Sequence, residues 1–159
     1  MTRPRAAHAR ATSSIAVELG GPFDRGRGGP GGWVILFEPE LHLGRRPDKM
    51  APDLAAWRRE RLPELPDMAA FTLAPDWICE VLSEGTERLD RIKKARIYAR
   101  EGVTYYWLVH PVLETLEVMR NESGRWLTLA SFAVEEGDAL IRAEPFDAIE
   151  LDLVGLFRT

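Results

Sequence analysis

The segment at residues 74–109, APDWICEVLSEGTERLDRIKKARIYAREGVTYYWLV, restricts the possible folds more than any other stretch of the chain. It divides into an apolar strand over residues 77–82, a polar turn, a helix over residues 86–101 and a second apolar strand over residues 105–109. The helical part carries helix formers with no Gly or Pro, and Gly102 follows it as a C-terminal stop. One residue does not suit its place: Glu80 stands among Trp77, Ile78, Cys79, Val81 and Leu82. An unpaired buried carboxylate costs several kcal/mol, so Glu80 needs a partner or a task. On the helix, Asp90, Lys94 and Tyr98 recur every four residues and share one face. If that face packs over the end of the strand, Lys94 approaches Glu80. Lys93 is its neighbour and also brackets the strand end, but the four-residue rhythm selects Lys94.

The whole chain of 159 residues is consistent with one domain. Residues 1–7 are basic and expected to fray, and residues 8–19 predict a helix with Ile15, Ala16 and Leu19 on its apolar face. The glycine-rich residues 20–32 predict a flexible connector. They lack the Lys-Ser/Thr ending of a P-loop and precede a strand, which argues against a phosphate cradle. WVILF at 33–37 and LHL at 41–43 predict strands. Glu40 and His42 would face one side and present half of a metal site, or a solvated acid and histidine beside a turn. Residues 47–51 read as a turn, residues 52–57 as a strand opened by Pro52-Asp53, and residues 58–68 as an exposed, proline-punctuated excursion whose RRER run is solvated. Residues 114–120 and 125–131 predict a hairpin around Asn121-Glu122-Ser123-Gly124. A short strand at 139–142 follows, and residues 145–151 form either an edge strand or the approach to a terminal turn at 154–157.

Composition narrows the function classes. The formal net charge is −4 and the pI about 5.5, which gives no support to indiscriminate nucleic-acid binding but allows a local basic patch. The lone Cys79 excludes an internal disulfide and a Cys-rich zinc site, and it reads as a buried structural thiol. No run approaches the 18 apolar residues of a membrane span, so a cytoplasmic protein is expected.

Asp53, Glu80 and Lys94 are the three polar groups that apolar packing leaves unexplained. Two carboxylates from neighbouring strands can hold Mg²⁺ or Mn²⁺, with water completing the shell. A nearby ammonium can orient a water and offset charge on a phosphoryl transition state. The chemistry implied is phosphodiester hydrolysis. The structural alternative is a turn aspartate, a salt-bridged strand glutamate and an ordinary Asp90–Lys94 pair.

The order PD (52–53), PDWICEVLS (75–83), Thr86, D-x3-K-x3-Y (90–98) and GVTYYWLVHP (102–111), with GPGGW and EPELHL at 30–43, resembles the Uma-two family. That family comprises bacterial restriction-endonuclease-like proteins of the PD-(D/E)XK nuclease superfamily. The resemblance implies an α/β (α+β) fold with a restriction-endonuclease-like core, a mixed central sheet flanked by helices, and Asp53 and Glu80 as metal-binding acids. The superfamily's lysine usually falls two residues after the second acid; here that place is Leu82, so its role passes to Lys94. Glu40 becomes an outer metal contact, Asp90 a partner of Lys94, and Tyr98 a support for the lysine or a phosphate. DNA is the implied substrate, and cutting two strands implies a homodimer. The chain departs from the pattern at Ser83-Glu84-Gly85-Thr86, where Ser-Pro-Ser-Thr is common, and at His110, where an aspartate is usual. It begins close to the family's first His-containing helix, here at His8, which implies a core without the preceding segment. The alternative is a catalytically inactive binding or assembly module on the same fold.

Overall fold

The computed structural model describes residues 5–83 and 88–159. Six strands form one mixed sheet in the order β1-β4-β5-β6-β7-β8. These are β1 (Trp33–Phe37), β4 (Leu54–Arg58), β5 (Trp77–Val81), β6 (Tyr105–His110), β7 (Thr115–Glu122) and β8 (Arg125–Ala133). All neighbours run antiparallel except the central pair β5 and β6, which is parallel with Glu80 opposite Leu108. The parallel pair needs a crossover, and α2 (Arg88–Arg100) lies within it. The expected strand–helix–strand unit is therefore the middle of the sheet.

Alternation along the strands divides the core into two layers. Ala56, Trp77, Cys79, Val81, Trp107 and Val109 pack on the face covered by α1 (Arg5–Leu19) and α3 (Leu153–Phe157). Ala55, Trp57, Ile78 and Tyr106 pack on the other face with α2 and with the hairpin of β2 (Leu41–Leu43) and β3 (Asp48–Met50). Helix α1 places Ala11, Ile15 and Leu19 in the core at i, i+4 and i+8. Cys79 is fully buried, and burial, with Asp53 and Glu80 nearby, pushes its thiol well above the ordinary range.

Several local expectations are corrected. Helix α1 already begins at Arg5, so residues 5–7 are helical. Gly20–Asp24 continues α1 as a π-helical turn, closed by Arg25 N–H on the Gly20 carbonyl, because Phe23 is drawn into the core. Residues 48–50 are strand β3 instead of turn: Gly44, at φ 91°, closes the chain tightly enough to set Met50 opposite Leu41. The RRER arginines are not simply solvated. Arg59 donates to Asp24 and to the Trp33 carbonyl, Arg61 lies 2.7 Å from Asp76, and the Arg58 guanidinium sits 4.4 Å over the Trp33 ring. Near the C-terminus, Leu140–Ile141 (β9) pairs with Leu151–Asp152 (β10), which leads directly into α3. The predicted β7–β8 hairpin forms, with Ser123 and Gly124 both at positive φ as a two-residue primed turn requires.

Candidate active site

The sheet's central strands bring two acids together at one end. Asp53 immediately precedes β4, and Glu80 is the fourth residue of β5, on the α2 face. The two interlock. Val81 N–H donates to Asp53 Oδ2 at 2.7 Å, and Asp53 N–H donates to Glu80 Oε1 at 3.3 Å. Each carboxylate thus accepts an N–H from the other acid's strand, and antiparallel pairing of Leu54 with Cys79 fixes the register that makes this possible.

Helix α2 supplies the next two groups. Its C-terminus is locked by a Schellman motif: Val103 N–H reaches the Tyr98 carbonyl, Gly102 N–H reaches the Ala99 carbonyl, and Gly102 has φ 85°. Tyr98, fully buried, then donates its hydroxyl to Glu80 Oε2 at 3.0 Å. One turn earlier, the Lys94 ammonium lies 4.0 Å from Glu80 Oε2 and 3.7 Å from Asp90 Oδ2. In the sequence both Lys93 and Lys94 bracket the strand end, and the four-residue rhythm selects Lys94. The structure turns Lys94 to the acids and sets Lys93 in a separate groove with Arg96 and Arg100.

Burial dominates the electrostatics. Glu80 exposes 12% of its side chain, and desolvation pushes its carboxyl up to about 7. The Lys94 ammonium pulls against that rise, Asp53 adds to it, and hydrogen bonds from Tyr98 and the Asp53 backbone pull it back down. The Tyr98 hydroxyl is pushed far above its usual range by burial and by Glu80, so it acts as a fixed neutral donor.

Asp53, Glu80, Asp90 and Lys94 line a cleft of about 170 Å³ together with His8, Ala51, Val81, Leu82, Ser83 and Arg91, and Tyr98 lies buried behind Glu80. A liquid water occupies roughly 30 Å³, so the cleft has room for a small hydrated cation or an anionic group. Among the described residues, no cluster of three or more His, Cys, Asp or Glu side chains could hold a metal ion. Two carboxylates suit Mg²⁺ nonetheless, since that ion commonly takes one or two carboxylates and keeps several waters.

Of the expected supporting residues, Asp90 and Tyr98 join the cluster. Glu40 does not: its carboxylate pairs with His42 at 3.5 Å beside β2, outside the residues lining the cleft. Two lining residues escaped the sequence reading. Arg91 stands three residues before Lys94, a spacing that puts it on the same helical face. His8 projects from α1, the helix on the opposite face of the sheet, and its Nε2 lies 3.1 Å from Asp53 Oδ1. Nothing in the spacing of His8 and Asp53, 45 residues apart, signals that meeting; only its place on the first helix hints at it. Leu82 lines the cleft without a charge. His110 accepts the Leu113 N–H on Nδ1 at 3.2 Å, a turn-capping bond that an aspartate carboxylate would also make. The expected Thr86 and its neighbours at 84–87 lie outside the described residues.

The mixed six-stranded sheet with helices on both faces is a nuclease fold. The chain superposes with a TM-score of 0.75 on the crystal structure of a putative nuclease belonging to DUF820 from Anabaena variabilis ATCC 29413, at 22% identity, covering 95% of this chain and 80% of that one. Residues 1–154 match the Uma2 family, described as putative restriction endonuclease, and the chain belongs to that family. No curated protein matches it.

Proposed function

We propose that this chain is a divalent-metal-dependent endonuclease that hydrolyses DNA phosphodiester bonds, with Asp53 and Glu80 as metal-binding acids and Lys94 as the cation beside the attacking water. The observation that carries this reading is the interlock of the two acids at the mouth of a cleft that also receives the Lys94 ammonium. Burial destabilises the charged form of Glu80, a cost that a divalent cation relieves. Mg²⁺ or Mn²⁺, when bound, supplies Lewis-acid polarisation of a phosphoryl oxygen and a more acidic water.

The chain's own groups do the rest. Tyr98 holds Glu80 Oε2 through a neutral hydrogen bond, so that Glu80 keeps its aim whether or not it is protonated. Asp90 and Glu80 share the Lys94 ammonium, which keeps it over the acids. From there Lys94 orients a water toward phosphorus and offsets charge on the equatorial oxygens as the water oxygen bonds to phosphorus and the sugar oxygen departs. Arg91 lines the same cleft and suits a second contact to the phosphate. Cleavage of both strands calls for two such sites, which a homodimer would provide. Among the described residues no helix is long and apolar enough to cross a membrane, in keeping with action in the cytoplasm.

The test is cleavage of supercoiled plasmid DNA with Mg²⁺, Mn²⁺ or a chelator. Cleavage requires the divalent ion and disappears in Asp53→Ala and Glu80→Ala while the circular dichroism spectrum is retained. Cleavage that survives in both variants rules the mechanism out.

A further inference from the structure

Basic charge is concentrated on α2. In its thirteen residues the helix carries six of the chain's 21 basic side chains and one of its 25 acids. Lys94 and Arg91 turn toward the cleft. Lys93, Arg96 and Arg100 turn away from it and line an open groove along the helix's outer side. Lys93 and Arg96 are exposed, and neither has an ion pair among the described residues. That differs from the other surface bases, many of which are paired: Arg59 with Asp24, Arg61 with Asp76, Arg120 with Glu122 and Arg158 with Glu114.

The band continues past the end of the helix. Arg100 bonds Asp48 at 2.8 Å and ties β3 to α2. Gly44 lies against the Glu101 carboxylate, where an added Cβ would stand 3.2 Å from Oε2. The hairpin turn that follows, with exposed Arg45 and Arg46, therefore sits beside the C-terminal end of α2. In an acidic protein, a strip that carries Lys93 and Arg96 without ion pairs among the described residues, with exposed Arg45 and Arg46 beyond them, is complementary to a polyanion.

We infer that the outer side of α2, from Lys93 and Arg96 to the Arg45-Arg46 turn, is a track that grips the phosphate backbone of duplex DNA beyond the bond held in the cleft. This rests on the nuclease reading for the position of the cleaved bond, and it adds a footprint. Thirteen helical residues extend about 20 Å, the rise of on the order of six base pairs. The contacts are to phosphates, so they carry register and affinity without base preference.

The experiment is fluorescence anisotropy of a labelled duplex of about 20 base pairs, titrated with the full chain in chelator at several salt concentrations. Three proteins are compared: the wild type, Lys93→Glu/Arg96→Glu, and the control Arg25→Glu/Arg27→Glu, which reverses as many charges in the exposed loop after α1. Circular dichroism verifies that each is folded. The α2 double variant should bind at least about tenfold more weakly and lower the slope of log affinity against log salt by about 2, while the control changes little. Absence of wild-type binding, an unchanged α2 variant, or an equal loss in the control each overturns the track. Metal-dependent cleavage by a wild type whose binding ignores the α2 charges removes the track and leaves the nuclease reading. Track-dependent binding without any cleavage does the reverse.

Discussion

The Nε2 of His8 lies 3.1 Å from Oδ1 of Asp53, although His8 belongs to α1, which covers one face of the sheet, and Asp53 stands just before β4 within the sheet. With Val81 N–H on Oδ2, this leaves neither oxygen of Asp53 without a neighbour to fix it. His8→Ala is expected to reduce apparent Mg²⁺ affinity by about 10–100-fold, the usual effect of removing a group that orients a metal ligand. His8→Gln, which keeps a donor, should recover part of it. Activity measured across an Mg²⁺ titration separates the two; equal metal dependence in His8→Ala and wild type would confine His8 to packing.

Removing the Tyr98 hydroxyl takes away a bond that lowers the pKa of Glu80. Tyr98→Phe should therefore move the acid limb of the pH–rate profile to higher pH and cost roughly 1–2 kcal/mol of stability. A pH profile identical to wild type would show that the hydroxyl does not govern Glu80.

Glu80 also predicts how stability depends on pH without metal. Its carboxyl titrates near 7 in the folded protein and near 4.5 when unfolded, so the folded state holds the extra proton between those values. This contribution is fully present below about 4.5 and is lost as pH rises to about 7, a change of roughly 3 kcal/mol from this group. Chemical denaturation of wild type and Glu80→Gln across that window isolates it: the difference between the two curves should shrink steadily toward low pH. Added Mg²⁺ should restore stability above pH 7 in wild type alone.

Lys94→Ala is expected to lower kcat by about 10²–10³-fold, comparable to the loss of one charge-stabilising donor. A change in KM with kcat preserved would reassign Lys94 from the reacting water to substrate binding.

Gly102→Ala places a side chain at φ 85° in the Schellman turn. A destabilisation of about 1 kcal/mol is expected by thermal or denaturant unfolding.

Much of this was legible from residue order. WVILF, WICEV and YYWLV announced strands because continuous apolar runs leave few other choices, and Gly102 marked the end of α2. The four-residue rhythm of Asp90, Lys94 and Tyr98 gave the helix face that packs on Glu80. What escaped was decided by tertiary contacts. Strand β3 is Asp-Lys-Met, with no apolar alternation, and it exists because β2 supplies a partner. The RRER arginines look solvated until Asp24 and Asp76 come within reach from distant segments. Glu40 looked available for metal because the sequence, which sets it beside His42, cannot show that this pair lies outside the lining of the cleft.

The mutual N–H bonds between the acid-bearing strands have an evolutionary corollary. Strand pairing, and not the intervening segment at residues 59–76, sets the separation of Asp53 and Glu80. Its outer part at residues 63–69, largely exposed, is free to lengthen, because each doubling of a loop costs only about 0.6 kcal/mol in closure entropy. A one-residue deletion inside β5 has no such latitude, since it would turn Glu80 toward the α1 layer and break both bonds at once. Relatives of this chain should therefore vary widely in the span between their two acids while keeping each acid's phase within its own strand unchanged.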